Sequence, residues 1–171
     1  MKVHFFDRKS GEMRLQIDTL DDMWHLEKII LPGDLVEAKT MRTHKVGNKE
    51  EKKPVVIRIK AENAEFAKNA NRLRVLGTIV FGEPEEFVQL GRHHTIEVPE
   101  GEQFRIVKQW KNYELERIRE AEKESKRARL RIIALDDEKA LCAELRSYGI
   151  EYGAEFHSSG SKKDDNYEEV S

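Results

Sequence analysis

Apolar and polar residues alternate through Glu12–Ile17, where Met13, Leu15 and Ile17 fall on one side. A period of two marks a half-buried strand. The period then lengthens. Leu20, Met23, Leu26 and Ile30 recur at helical spacing, and Trp24 widens their face. Thr19 is placed to cap this helix, with Asp22 completing a capping box and Pro32-Gly33 stopping the run. "DLVEAKTMRTHK" (34–45) and "PVVIRIKAENAEF" (54–66) read as two strands, the second turning Val55, Ile57 and Ile59 inward. "NRLRVLGTIVFG" (71–82) reads as another, in which Gly77 permits the sharp bend of a barrel corner. "HHTIEV" and "EQFRIVKQW" read as a closing hairpin about Pro99-Glu100-Gly101, with Phe104, Ile106, Lys108 and Trp110 on one side. Many short strands around one short helix predict a mainly β fold, a small β-barrel over residues 1–110.

The apolar stripe thins from Lys111 onward. Leu115, Ile118, Ala121 and Ala128 mark a charged linker helix over 111–129, with acidic residues early and basic ones late, as the helix dipole favours. "LRIIALD", "DEKALCAELRSYG" and "IEYGAEF" then read as strand, helix and strand. That is a partial α/β (βαβ) unit over 130–157, the opening of a second domain. Residues 158–171 are small, polar and charged, and are expected to be a disordered tail.

Composition narrows the class. The chain has 171 residues, 38% hydrophobic and 37% charged, with a mean hydropathy of −0.74. This is the composition of a soluble protein with a heavily charged surface, and the helix and βαβ piece appended to the barrel favour a monomer. Cys142 is the single cysteine, so neither an internal disulfide nor a thiolate metal cage can form. No apolar run approaches the ~20 residues of a membrane span, and the first residues lack a signal peptide's apolar core. A cytoplasmic protein without membrane contact is the expectation.

Charge is unevenly spread. The formal net charge is −2, yet Lys39–Arg74 holds eleven Lys/Arg against four Glu. A basic block in a nearly neutral chain fits an anionic partner, or equally a solvated charged face. Its centre is "MRTHKVGNKEEKK" (41–53), longer than a plain hairpin turn needs.

Catalytic chemistry is weakly signalled. Asp7, Asp21, Asp22 and Asp34 are the candidate carboxylates for metal-assisted cleavage, but they form no compact ligand motif, and Asp21 and Asp22 suit a helix N-terminus. His93 and His94, adjacent on a strand, point to opposite faces. Ser10, Ser125 and Ser147 lack a nucleophile-elbow context, and there is no glycine-rich phosphate loop. No catalytic residue, metal site or cofactor is identified.

"LDDMWHLEKIILPGDLVEAKT" (20–40), "NRLRVLGTIVFGEPE" and "GRHHTIEVPEGEQFRIVKQW" resemble, in this order, the N-terminal domain of archaeal Pelota proteins. "IIALDDEKALCAELRSYGIEYGAEF" resembles the start of the Pelota central domain, so the resemblance spans nearly all of residues 1–157. Pelota is a paralogue of the class-1 translation termination factors. The resemblance implies an Sm-like barrel and a role in ribosome rescue and mRNA surveillance (no-go decay). Its implied partners are the ribosome, with rRNA and mRNA in the A site, a translational GTPase of the elongation-factor class, and an ABC-type recycling ATPase.

The resemblance also implies that an irregular basic hairpin tip reaches decoding-site RNA. Arg42, His44, Lys45, Lys49, Lys52 and Lys53 match that tip, and Arg72 and Arg74 are secondary RNA-binding candidates. Gly47 and Asn48 suit the tip's turn, while Glu50 and Glu51 dilute its charge relative to the family pattern. The alternative it carries is a metal-dependent endoribonuclease cleaving stalled mRNA, which would need a divalent cation. A generic Sm-like RNA-binding ring is a third reading. No Gly-Gly-Gln occurs, so nothing supports peptidyl-tRNA hydrolysis. The family's central domain is longer than the piece seen here, which predicts a fragment of a larger protein.

Overall fold

The computed structural model describes residues 1–46 and 49–157, and for 42–46 and 49–51 the backbone alone. The tail expected over 158–171 lies outside the described residues. The chain divides into two compact units, Met1–Arg127 and Ala128–Ser171.

The first unit follows the hydrophobic pattern closely. Its elements are β1 (Lys2–Asp7), β2 (Glu12–Gln16), α1 (Leu20–Ile29), β3 (Leu35–Val46), β4 (Lys49–Ala67), β5 (Arg72–Glu83), β6 (His93–Pro99), β7 (Gln103–Val107) and α2 (Asn112–Glu124). Seven strands form one antiparallel sheet in the order β1-β2-β7-β3-β4-β5-β6. The sheet curls until β6 lies against β3. Met13, Leu15, Val36, Ile57, Ile59, Leu73, Val75, Ile96 and Ile106 line its inside, and α1 adds Met23, Leu26 and Ile29.

Local chemistry explains the bends. Thr19 and Asp22 form the expected capping box at the start of α1. Gly77 faces the backbone of β4 so closely that a Cβ there would lie 2.2 Å from the Lys60 carbonyl oxygen. The β4–β5 register slips beside it, between Ala61 and Asn63. Such slips bend and twist a long strand, and β4 runs for 19 residues.

One expected pairing is absent. β6 and β7 do not form a hairpin: β6 pairs with β5, while β7 inserts between β2 and β3. The Pro99–Gly101 turn carries the chain across the curl instead. The Gly101 amide donates to the Ile17 carbonyl, and the Ile17 amide to the Glu102 carbonyl. The turn is therefore anchored on Ile17, just past the end of β2, besides its own bond from the Glu102 amide to the Pro99 carbonyl.

The charged helix of residues 111–129 runs Asn112–Glu124 as α2, within the first unit. It is not exposed all round, since Leu115, Ile118 and Ala121 are buried and α2 packs against α1. Glu124 Oε2 lies 3.0 Å from His25 Nε2 of α1, and the Ser125 hydroxyl donates to Asp22 at 2.8 Å.

The second unit differs from the βαβ expectation. It is a three-stranded antiparallel meander of β8 (Arg131–Leu135), β9 (Lys139–Arg146) and β10 (Gly149–His157), with β9 in the middle. The segment read as a helix is β9. The signal was ambiguous: Ala, Leu, Glu and Lys favour helix, and an aspartate before them suits an N-cap. Asp136 does accept the amides of Glu138 and Lys139, at 2.8 and 2.7 Å, but it does so in a hairpin turn. The Asp136 amide donating to the Lys139 carbonyl at 2.9 Å then closes that turn.

Candidate nucleic-acid interface

Strand pairing defines the candidate site. β3 pairs with β7 only from Leu35 to Ala38, and β4 pairs with β5 only from Val56 onward. From Lys39 to Val46 and from Lys49 to Val55, β3 and β4 therefore pair with each other alone. At ~3.3 Å per residue this two-stranded ribbon extends about 25 Å beyond the sheet's other strands. The irregular tip expected over 41–53 is thus a regular ladder up to Val46↔Lys49. A stretch rich in Lys and Glu has low intrinsic strand preference, so its pairing was not readable from pattern. Gly47 and Asn48 lie outside the described residues.

The ribbon is basic. Between Lys39 and Val55 it holds six Lys/Arg and two Glu. The register sets Lys45 opposite Glu50, His44 opposite Glu51, Arg42 opposite Lys53 and Thr43 opposite Lys52. The two glutamates thus stand across from one lysine and one histidine, and two cations directly oppose each other lower down. Like charges placed opposite one another are destabilising, which leaves this part of the ribbon suited to an anionic surface. The side chains of Arg42, His44, Lys45 and Lys49 lie outside the described residues. Lys52 is exposed, and Lys53 places its ammonium 5.1 Å from the centre of the Phe87 ring.

Arg72 and Arg74 occupy exposed alternate positions of β5, on one strand face as expected. Both turn to one carboxylate: Arg72 lies 2.7 Å and Arg74 3.4 Å from Glu97 on β6. Their charge is half neutralised, and they sit on the sheet body, away from the ribbon.

Two features were not singled out from sequence. Lys39 is an exposed cation at the ribbon's root. A charge ladder also crosses four strands there: Arg58 lies 2.7 Å from Glu37, and Arg105 lies 3.3 Å from both Glu37 and Glu12. It fixes the strands from which the ribbon departs. Its members belong to β2, β3, β4 and β7, so no local spacing announces it.

Three of the four candidate carboxylates, Asp7, Asp22 and Asp34, are engaged in structural roles. Asp22 accepts the amides of Asp18 and Thr19 at 2.8 and 2.9 Å and lies 2.5 Å from the Met1 ammonium. Asp34 accepts the Leu31 amide and lies 2.6 Å from Lys108 Nζ. The Asp7 carboxyl is held below its ordinary pKa by the Ser10 hydroxyl and by the Lys9 and Ser10 amides. Among the described residues, no group of three His, Cys, Asp or Glu side chains is placed to share a metal ion. His93 lies 3.4 Å from Glu62 on the exposed sheet surface.

A curled antiparallel sheet braced by two helices, with one basic ribbon carried beyond it, defines a small mainly β domain of the Pelota N-terminal type. Residues 1–122 match the family model described as the Pelota N-terminal domain. The chain belongs to the Pelota family. It is 41% identical over 171 residues to a Pelota homologue of Thermococcus onnurineus, an alignment covering 95% of this chain and 48% of that protein. Among solved structures it resembles the Thermoplasma acidophilum Pelota protein, with a TM-score of 0.71 and 23% identity over 92% of this chain and 45% of that one. It also resembles a ribosome-bound archaeal Pelota from a model with ABCE1, with a TM-score of 0.62 and 40% identity over 92% and 46% of the two chains. The chain spans about half the length of the relatives it matches.

Proposed function

We propose that this chain supplies the ribosome-contacting N-terminal part of a ribosome-rescue and mRNA-surveillance factor working in the cytoplasm. The observation that carries the reading is the ribbon. It projects a net positive charge about 25 Å beyond the sheet, far enough to enter a channel walled by phosphate. Contacts of this kind position a protein on RNA without reading sequence. A rescue factor needs that property, because stalls occur at any codon. The similarity to a ribosome-bound Pelota supports the same placement.

In this reading the domain occupies the empty decoding site with its ribbon and acts as a binding factor. A translational GTPase would deliver the whole factor, and an ABC-type ATPase would join it to separate the subunits. Among the described residues no constellation supports the nuclease alternative: Asp7, Asp22 and Asp34 are committed to amides or a buried lysine. The test replaces Lys45, Lys49, Lys52 and Lys53 by Glu and measures binding to small ribosomal subunits. Binding should fall at least ~100-fold at low salt, as expected for several lost phosphate contacts.

A further inference from the structure

The flank of the sheet beside the ribbon's root carries a second surface of opposite character. β6 pairs with β5 only as far as Thr78, so Val80–Glu83 have no strand neighbour on that side. The following loop folds back along the gap: Val88 packs on Gly82, where a Cβ would lie 2.3 Å from its methyl, and the Gly91 amide donates to Ile79. Between loop and strand lies a hollow of about 230 Å³ lined by Val80, Phe81, Gly82, Glu85, Val88 and Leu90. Its mouth is apolar, with Val80 43%, Phe81 39% and Leu90 63% exposed. A cavity of about 150 Å³ holds benzene, so this one accommodates a branched aliphatic side chain.

Charge selects the occupant. Glu83, Glu85 and Glu86 are all exposed beside the hollow and have no ion-pair partner among the described residues. The neighbouring cations are already engaged: Arg58 is bound by Glu37 and stands 5.4 Å over the Phe81 ring, and Lys53 stands over Phe87. Arg92 follows the loop and is exposed. Three unpaired carboxylates repel a phosphate backbone and attract lysine or arginine. We propose that this hollow docks a basic polypeptide segment, one aliphatic side chain entering between Phe81 and Leu90 while flanking cations pair with Glu83, Glu85 and Glu86. The basic ribbon would then face RNA, and this flank a protein.

The test uses the isotope-labelled full chain and three probes: an alternating lysine–leucine peptide, a lysine-only peptide of equal charge, and an oligouridine. The lysine–leucine peptide should shift the amide resonances of Phe81, Gly82 and Leu90. The lysine-only peptide should bind about tenfold more weakly. Replacing Glu83, Glu85 and Glu86 by Gln, exposed changes that leave folding intact, should weaken the lysine–leucine peptide about tenfold. Hollow resonances that stay still with that peptide, or that respond to oligouridine instead, overturn the proposal. Oligouridine shifts in the ribbon report separately on the ribbon, so failure of one surface is not mistaken for failure of the other.

Discussion

Lys108 Nζ lies 2.6 Å from Asp34 Oδ2, with both side chains largely removed from solvent. Glu114 stands 2.9 Å from the same ammonium, and the Ile29 carbonyl accepts from it at 2.7 Å. One lysine beyond the end of β7 thus ties together the end of α1, the residue before β3, and the first turn of α2. β3 is the strand that becomes the ribbon, so this buried cluster fixes the ribbon's origin. Alternation in β7 already placed Lys108 on the core side, beside Phe104, Ile106 and Trp110.

Removing that cation should cost more than its size suggests. Lys108→Met leaves two carboxylates buried without a counter-charge, a situation that costs about 3–5 kcal/mol. Urea denaturation should show a loss of this order. An unchanged midpoint would mean that the cluster is dispensable.

Gly77 is required by contact and not by a special backbone angle. Gly77→Ala forces a methyl against the Lys60 carbonyl, and the strand shift needed should cost about 1–3 kcal/mol. The same denaturation series measures it.

Much of the fold was legible because its signals are local. The Met13–Leu15–Ile17 face, the Thr19–Asp22 cap, and the inward Val55, Ile57 and Ile59 each depend on near neighbours. What was hidden depends on distant partners. The route of β7 between β2 and β3 is held by Ile17, which the Pro99–Gly101 turn gives no hint of. β9 carries a helix-favouring composition that two flanking strands override. The ribbon's basic residues were legible as composition, whereas their regular pairing and the Glu97 clasp on Arg72 and Arg74 were not.

The Asp136 turn has a pH signature. Its carboxyl is held below the ordinary value by the Glu138 amide and then the Lys139 amide. A lowered folded pKa means the turn's added stability is full above the ordinary carboxylate value. It fades as pH falls through the lower folded one. The Glu138 and Lys139 amide resonances should therefore move together only at acid pH, and Asp136→Ala should remove that transition. A titration near neutrality would contradict the assignment.

The second unit presents exposed apolar residues on both sheet faces, Leu130, Ile132, Leu145, Ile150 and Tyr152 on one and Ile133, Leu135 and Phe156 on the other. Their register aligns Ile132 with Ala143 and Ala143 with Tyr152, and Leu145 with Ile150. A contiguous apolar surface of this kind binds hydrophobic dyes. The chain should enhance the fluorescence of such a dye, and a truncation ending at Arg127 should do so far less. Equal enhancement would place the dye site on the first unit.

Salt dependence of binding to small ribosomal subunits tests the central claim most directly. If the ribbon neutralises phosphates, the logarithm of the association constant should fall linearly with the logarithm of salt, with a slope of about −3 to −5. Replacing Lys45, Lys49, Lys52 and Lys53 by Glu should flatten that slope to near zero, while replacing Arg72 and Arg74 by Gln should change it by less than ~1. An unaltered slope in the fourfold ribbon variant would contradict the account.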